Sequence, residues 1–288
     1  MKSKIKLNKR NRFLSQIIFY ILRLFAIKNK KKSSIAGFSF DSIFLKINID
    51  GTYEVDEIDF LQKFLKNTLS RKSCVLDIGA NIGNHTIRLF SEMFLEVHCF
   101  EPNPKVNSLL NINVENLDNV KTYNIGLSDK KGTATIKIDS LNLGAATIVD
   151  LDLNPKNNVE REFLSIELDT LDNIFFHKEI KIDLIKLDVE GHELNVLKGA
   201  KKVLDKYSPM IVFETYIDKG NNKNNLIQYL WDNNYTLYVL NENFRLGSFK
   251  ILKLLTMLFQ DIFGKELNLV KQNKFEPGYY NIIIARKI

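Results

Sequence analysis

The stretch 75-VLDIGANIGNHT-86 decides how this chain is read. A short apolar run ends on Asp77, and then Gly79 and Gly83 bracket Asn81. A strand running into a glycine turn and a helix is the usual opening of an α/β sheet that holds a nucleotide-type ligand. The dinucleotide fingerprint requires glycine at the first, third and sixth positions of its loop. Counted from Gly79, those positions hold Gly79, Asn81 and Asn84, so a pyrophosphate cradle is disfavoured. The chain also lacks a G-x-x-x-x-G-K-[ST] phosphate loop.

The ligand therefore need not carry phosphate. A carboxylate at Asp77 repels phosphate but suits an ammonium group, and the backbone of Gly79–Gly83 can approach a ligand closely. The next strand ends on Glu101, where an acid suits a bidentate bond to two ribose hydroxyls. An ammonium, a bare ribose and no phosphate together describe S-adenosylmethionine (SAM).

The strings 77-DIGANIG-83, 100-FEPNP-104, 124-NIGLSD-129, 169-DTLD-172 and 182-IDLIKLDVEGHELNVLKGA-200 resemble the FkbM family of SAM-dependent methyltransferases over residues 73–215. KLDVEGHE is the most specific of these motifs. The resemblance implies an α/β class I methyltransferase fold: a Rossmann-like, mostly parallel seven-stranded sheet, helices on both faces and an antiparallel last strand. It implies O-methylation, often of sugars in natural products or surface glycans. It also implies Asp77, Gly79, Asn81, Gly83 and Glu101 as cofactor contacts, with Leu127 and Ser128 near the adenine.

Hydrophobic patterning agrees with that architecture. Short apolar runs at 73–78, 96–100, 120–125, 183–187, 210–214, 235–240 and 279–286 read as strands. Amphipathic segments near 83–93, 104–116, 192–204 and 221–232 read as the helices between them. Period-two alternation in 132-GTATIKI-138 and 163-FLSIEL-168 predicts a small antiparallel β insertion. Residues 151–160 read as a loop. The apolar segment 249–263 reads as a core or dimer helix, or as a cap over a substrate, so a homo-oligomer stays open.

The net charge of +7 belongs to one end of the chain. Residues 1–32 hold eleven Lys/Arg and no acid, leaving 30 basic against 34 acidic residues elsewhere. The organisation expected is a basic amphipathic tail, 1–35, before a methyltransferase domain, 36–288. The run 13-FLSQIIFYILRLFAI-27 is too short and too interrupted by Arg23 for a membrane span. It reads either as a helix docked on the domain or a second subunit, or as a peripheral anchor on an anionic membrane face. A cytoplasmic protein, in the second case on the inner face of the membrane, is the matching location. Cys74 and Cys99 sit in apolar runs and read as buried, reduced thiols. The Asn/Lys/Ile-rich composition points to an AT-rich bacterial genome.

The chemistry is expected around 183-DLIKLDVEGHE-193, a strand, a turn at Gly191 and a helix start. Asp188, Glu190 and His192 cluster there, with His192 the candidate general base for a hydroxyl acceptor. Lys186, inside the strand, needs an acidic partner, with Asp188 the candidate. Asp188 and Glu214 at neighbouring strand ends are the candidate ligands of a Mg²⁺ that would activate the acceptor. The expected acceptor is a small molecule or a sugar of a surface-glycan precursor; a phosphoryl-type oxygen and a non-catalytic SAM-fold scaffold are the alternatives. Nucleic acid is not expected: the body is acidic, and neither [DN]-P-P-[YF] nor a Pro-Cys pair occurs. The missing glycines oppose an NAD(P) oxidoreductase.

Overall fold

The computed structural model describes residues 35–39, 41–50, 52–139, 142–149, 161–218, 225–242 and 267–287. The tail 1–34, the expected loop 151–160 and the apolar segment 249–263 lie outside the described residues.

Twelve strands are described. They are β1 (Cys74–Ile78), β2 (Glu96–Phe100), β3 (Val120–Tyr123), β4 (Gly126–Leu127), β5 (Gly132–Asp139) and β6 (Asn142–Val149). Then follow β7 (Arg161–Asp169), β8 (Ile182–Leu187), β9 (Met210–Ile217), β10 (Thr236–Glu242), β11 (Leu267–Gln272) and β12 (Gly278–Arg286). The main sheet has the order β11-β10-β12-β9-β8-β1-β2-β3. Its centre is parallel, and β12 runs antiparallel to both β9 and β10. All seven strands expected from the sequence are present, with the last one antiparallel as expected. An eighth, β11, pairs with β10 at the edge and has no counterpart in the sequence reading. Its side chains are half-buried to exposed, so no apolar run marks it.

Burial on both faces explains why the central strands read as continuous apolar runs: every residue of β1 is buried. One face carries the core around Ile185, Leu197, Leu204 and Phe213, the other the core around Val75, Leu89, Val97 and Ile284. The expected helices are present. Pro104–Val114 opens on an Asn103 cap, whose side chain accepts from Lys105 N at 3.1 Å, with proline in the first turn. The segment after the glycine loop winds as a π-helical stretch, Thr86–Phe90, before an α turn, Ser91–Met93. The segment expected as one helix over 192–204 is two, Glu193–Lys198 and Lys201–Tyr207.

The β insertion is a four-stranded sheet, β4-β7-β5-β6. Ile136, Ile138, Ile166 and Leu168 from it pack with Ile35, Ile47, Ile82 and Val106. Two helices ahead of β1, Ser42–Asp50 and Val55–Thr68, went unread in the sequence. The second is amphipathic, burying Ile58, Leu61 and Leu65 with Phe60 and Phe64 packed beside them. β1 and β8 are neighbours, and the chain leaves them toward opposite sides of the sheet. That switch point opens a crevice at the carboxyl ends of the strands, where ligands of open sheets bind.

Candidate active site

Three residues of the loop after β1 take positive φ: Gly79 at 76°, Asn81 at 51° and Gly83 at 91°. A Cβ on Gly79 would stand 1.7 Å from the Asp188 carbonyl oxygen. Gly79 is therefore demanded by the neighbouring strand end rather than by a ligand alone. The sharp turn places Asn81 N 3.1 Å from Glu101 Oε2, while Asn103 N donates to Glu101 Oε1 at 2.9 Å. Both carboxylate oxygens thus hold one backbone donor and keep further acceptor capacity. Burial pushes the Glu101 carboxyl up to about 7, against the pull of those two donors.

Glu101 forms part of a cleft enclosing about 540 Å³, some of it open to solvent. Apolar walls from Phe100, Ile125, Leu127, Ile136 and Ile166 face Gly79, Glu101, Asp188, Glu190 and His192. The structure thus brings six of the sequence-derived site residues to one cavity. A bound SAM would fit these groups: a flat apolar slot for adenine and a buried acceptor pair for ribose hydroxyls. Ser128 is buried beside this cleft and reaches it through His192.

Asp77 is placed differently. It is 0% exposed and lies inside β1. Thr86 Oγ1 donates to its Oδ2 at 2.6 Å, and its Oδ1 faces Lys186 Nζ at 3.5 Å. Lys186 also donates to Asp188 Oδ2 and to Gly79 O, each at 3.1 Å. Burial alone would lower the Lys186 pKa, but the Asp188 and Asp77 carboxylates outweigh it and raise it. The expected Lys186–Asp188 pair is present, with Asp77 as a third member. Asp77 fastens β1 to β8 from within and does not line the cleft. Gly83 likewise packs against Leu110 rather than facing the cavity.

His192 lines the first cleft with both ring nitrogens engaged. Its Nε2 lies 2.9 Å from Ser128 Oγ, and Asn195 Nδ2 lies 3.2 Å from its Nδ1. Ser128 Oγ in turn donates to Asp129 Oδ1 at 3.0 Å. One assignment satisfies the chain: a neutral ring with the proton on Nε2 and Nδ1 accepting from Asn195. Burial lowers the His192 pKa, in keeping with that neutral ring. Glu190 and Gly191 turn through the left-handed region at φ 50° and 94°. Buried Glu193 secures that turn by accepting from Gly191 N at 3.0 Å.

A second cavity of about 370 Å³ opens on the other side of Asp188. It is lined by Glu54, Glu57, His85, Lys186, Asp188 and Glu214, among others. Asp188 borders both spaces. Glu214 accepts from the Tyr279 hydroxyl, and Glu57 accepts from Asn281 Nδ2 at 2.9 Å. Burial pushes Glu54 up to about 7, with the Asp188, Glu214 and Glu57 carboxylates adding and Lys186 opposing. Burial, with the Lys186 ammonium adding, pulls His85 down to about 4. Among the described residues, Asp188 and Glu214 do not fall in a group of three ligand atoms within 4.8 Å; the one such group is Cys74, Glu96 and His98 at the far end of the sheet. His98 there stacks on Tyr123 and packs edge-on to Phe175, as a core histidine. Cys74 and Cys99 are buried free thiols, as expected.

His85 follows directly on the glycine loop, whereas Glu54 lies well ahead of β1. Asn84, His85 and Thr86 sit together in the opening stretch, so 84-NHT-86 carried a polar signal. Glu54 had none, because only the folded chain brings it there.

The family model described as "Methyltransferase FkbM domain" matches residues 77–237, more than half of the chain. The 2-O-methyltransferase NoeI of Sinorhizobium fredii is 28% identical over 159 residues, covering 50% of this chain and 63% of NoeI. The hexuronic acid methyltransferase AglP of Haloferax volcanii is 31% identical over 139 residues, covering 47% of this chain and 53% of AglP. The chain thus matches between about half and two-thirds of the length of these relatives. A solved FkbM methyltransferase of Methylobacillus flagellatus aligns with a TM-score of 0.38 at 17% identity, covering 69% of this chain and 49% of that one. The matched span runs from the glycine loop through Glu101, Asp188 and Glu214, and this chain belongs to the FkbM methyltransferase family.

Proposed function

We propose that this protein is an O-methyltransferase that moves the methyl group of SAM to a hydroxyl of a neutral sugar or related glycan precursor. The observation that carries the reading is the pair of cavities meeting at Asp188, one suited to an adenosine and the other to a polar acceptor. Bound SAM supplies a methyl carbon activated by the adjoining sulfonium. Glu101 holds the ribose, the apolar walls exclude water, and the shared Asp188 edge sets the acceptor against the donor. Orientation of this kind is worth about 7–11 kcal/mol of the barrier.

The charge of the second cavity supports a neutral acceptor. Glu54, Glu57, Asp188 and Glu214 face it, while Lys186 is already held by Asp77 and Asp188. A phosphoryl oxygen or a uronate would meet that acidic ring unfavourably, so a phosphoryl acceptor is the second reading. Mg²⁺ has less support than the sequence suggested, because the Lys186 ammonium already stands beside Asp188. The eleven cations of residues 1–32 support contact with an anionic membrane face. Co-sedimentation of the full chain with phosphatidylglycerol vesicles, against phosphatidylcholine, tests that contact.

The test of the function is calorimetric titration of SAM, followed by transfer of labelled methyl to a panel of p-nitrophenyl hexopyranosides and their uronides, in Mg²⁺ and in EDTA. SAM binding, neutral-sugar products and indifference to EDTA are expected. A folded protein that binds no SAM overturns the enzyme reading and favours a scaffold; transfer to uronides alone overturns the neutral acceptor.

A further inference from the structure

We propose that Glu54, oriented by His85, is the general base that removes the proton of the acceptor hydroxyl. The inference rests on the methyl-transfer reading above and names the residue that activates its acceptor.

Four carboxylates face the second cavity, and three are committed elsewhere. Asp188 is held by the Lys186 ammonium, Glu214 by the Tyr279 hydroxyl and Glu57 by Asn281. Glu54 meets His85 instead, with Glu54 Oε2 3.5 Å from His85 Nε2. Glu54 stands at the N-terminus of the helix Val55–Thr68, yet its side chain caps no backbone N–H there. That side chain turns into the cavity, and the Glu54 backbone is held at φ 57°, in the left-handed region that a glutamate rarely takes.

The cofactor loop sets that geometry through two consecutive side chains. Asn84 Oδ1 accepts from Thr52 Oγ1 at 2.9 Å and from Tyr53 N at 3.2 Å, and Asn84 Nδ2 donates to Tyr53 O at 3.1 Å. The strap before Glu54 is thereby fastened to the loop that carries Gly79 and Gly83. His85 then reaches Glu54 from the next position. His192 is unsuited to the same task, since its one ring lone pair already accepts from Asn195.

The step balances as follows. The acceptor oxygen forms a bond to the methyl carbon while the carbon–sulfur bond breaks, its electron pair remaining on sulfur. The hydroxyl proton passes to the Glu54 carboxylate, which later releases it to solvent. A carboxyl with a pKa pushed up to about 7 is matched to that transfer near neutral pH. Asp188, Glu214 and Glu57 face it as like charges, and Lys186 opposes them. His85, pulled down to about 4, stays neutral and stands beside Glu54 at 3.5 Å without quenching its charge.

The experiment compares the full chain with Glu54→Gln, Glu54→Asp and His85→Gln. Each variant is measured for SAM affinity by calorimetry, for kcat and KM on the p-nitrophenyl hexopyranoside that the unaltered chain methylates best, and for its melting temperature. The Glu54 carboxyl is also followed by ¹³C NMR against pH. Expected are unchanged SAM affinity, a kcat loss of about 10²–10⁴-fold in Glu54→Gln with KM little moved, and partial recovery in Glu54→Asp. A smaller loss is expected in His85→Gln, and the NMR titration should disappear in Glu54→Gln. Retention of kcat within threefold by a folded Glu54→Gln, or a Glu54 carboxyl that shows no titration near 7, overturns the base and leaves the methyltransferase reading standing. SAM binding with no product on any neutral sugar overturns that reading, and the base falls with it.

Discussion

Lys186 Nζ stands 3.5 Å from Asp77 Oδ1, inside the sheet and away from solvent. The acid that opens the glycine loop thus faces the Lys186 ammonium from β1, with Asp188 completing the triplet on the cavity side. Asp77→Ala would leave Lys186 with a single carboxylate partner. Breaking a buried pair costs about 3–5 kcal/mol. We expect a large fall in melting temperature by calorimetry, with SAM affinity recovered where the variant remains folded. A stable Asp77→Ala that has lost SAM binding would instead make Asp77 a direct ligand.

Glu101→Gln should act in the opposite way. The amide keeps one acceptor oxygen, turns its NH2 toward either Asn81 N or Asn103 N at some cost in stability, and loses the charge that strengthens bonds to ribose hydroxyls. A hydrogen bond to a charged group is worth about 1.5–3 kcal/mol, so SAM affinity should weaken roughly 10- to 100-fold while the fold persists.

The same residue predicts a pH dependence. Burial raises its folded pKa to about 7 from the ordinary carboxyl value of 4.5. The folded protein therefore binds the extra proton, and stability from this group, present at low pH, is lost as pH rises from about 4.5 through 7. SAM binding needs the ionised form, so affinity should fall as pH drops below about 7. Calorimetry between pH 5.5 and 8.5, as a chosen span, should show that slope in the unaltered chain and lose it in Glu101→Gln.

His192→Ala removes the ring between Ser128 and Asn195. It should raise the SAM dissociation constant several-fold and leave kcat at saturating SAM nearly unchanged. Collapse of kcat with unchanged SAM affinity would return His192 to the role of base.

Gly79→Ala tests the junction itself. Its Cβ would fall 1.7 Å from the Asp188 carbonyl oxygen, at a φ of 76° that alanine disfavours. Either β1 or β8 must move, and soluble yield and thermal melting should both collapse. Gly191→Ala, with no atom within 4 Å of the added Cβ, should cost far less despite its φ of 94°.

The sheet was legible because it is local chemistry repeated. Runs such as CVLDI and IDLIKL are covered on both faces, and that requirement writes itself as short, mostly apolar runs in which only Asp77, Asp183 and Lys186 are charged. The cofactor side was legible for a related reason: Gly79 and Glu101 sit at the ends of adjacent strands, so motif spacing places them together. β11 escaped notice because an edge strand with half-exposed side chains carries no apolar run.

The sequence by itself determined the α/β architecture, the family and the pairing of Lys186 with an acid. Tertiary structure alone decided the duties of the acids. It buried Asp77 behind Lys186, engaged both nitrogens of His192, and brought Glu54 from ahead of β1 to His85. The physical reason is that a strand's burial depends on its own neighbours in sequence. The proton affinity and freedom of a carboxylate depend on which charges and donors arrive from distant parts of the chain.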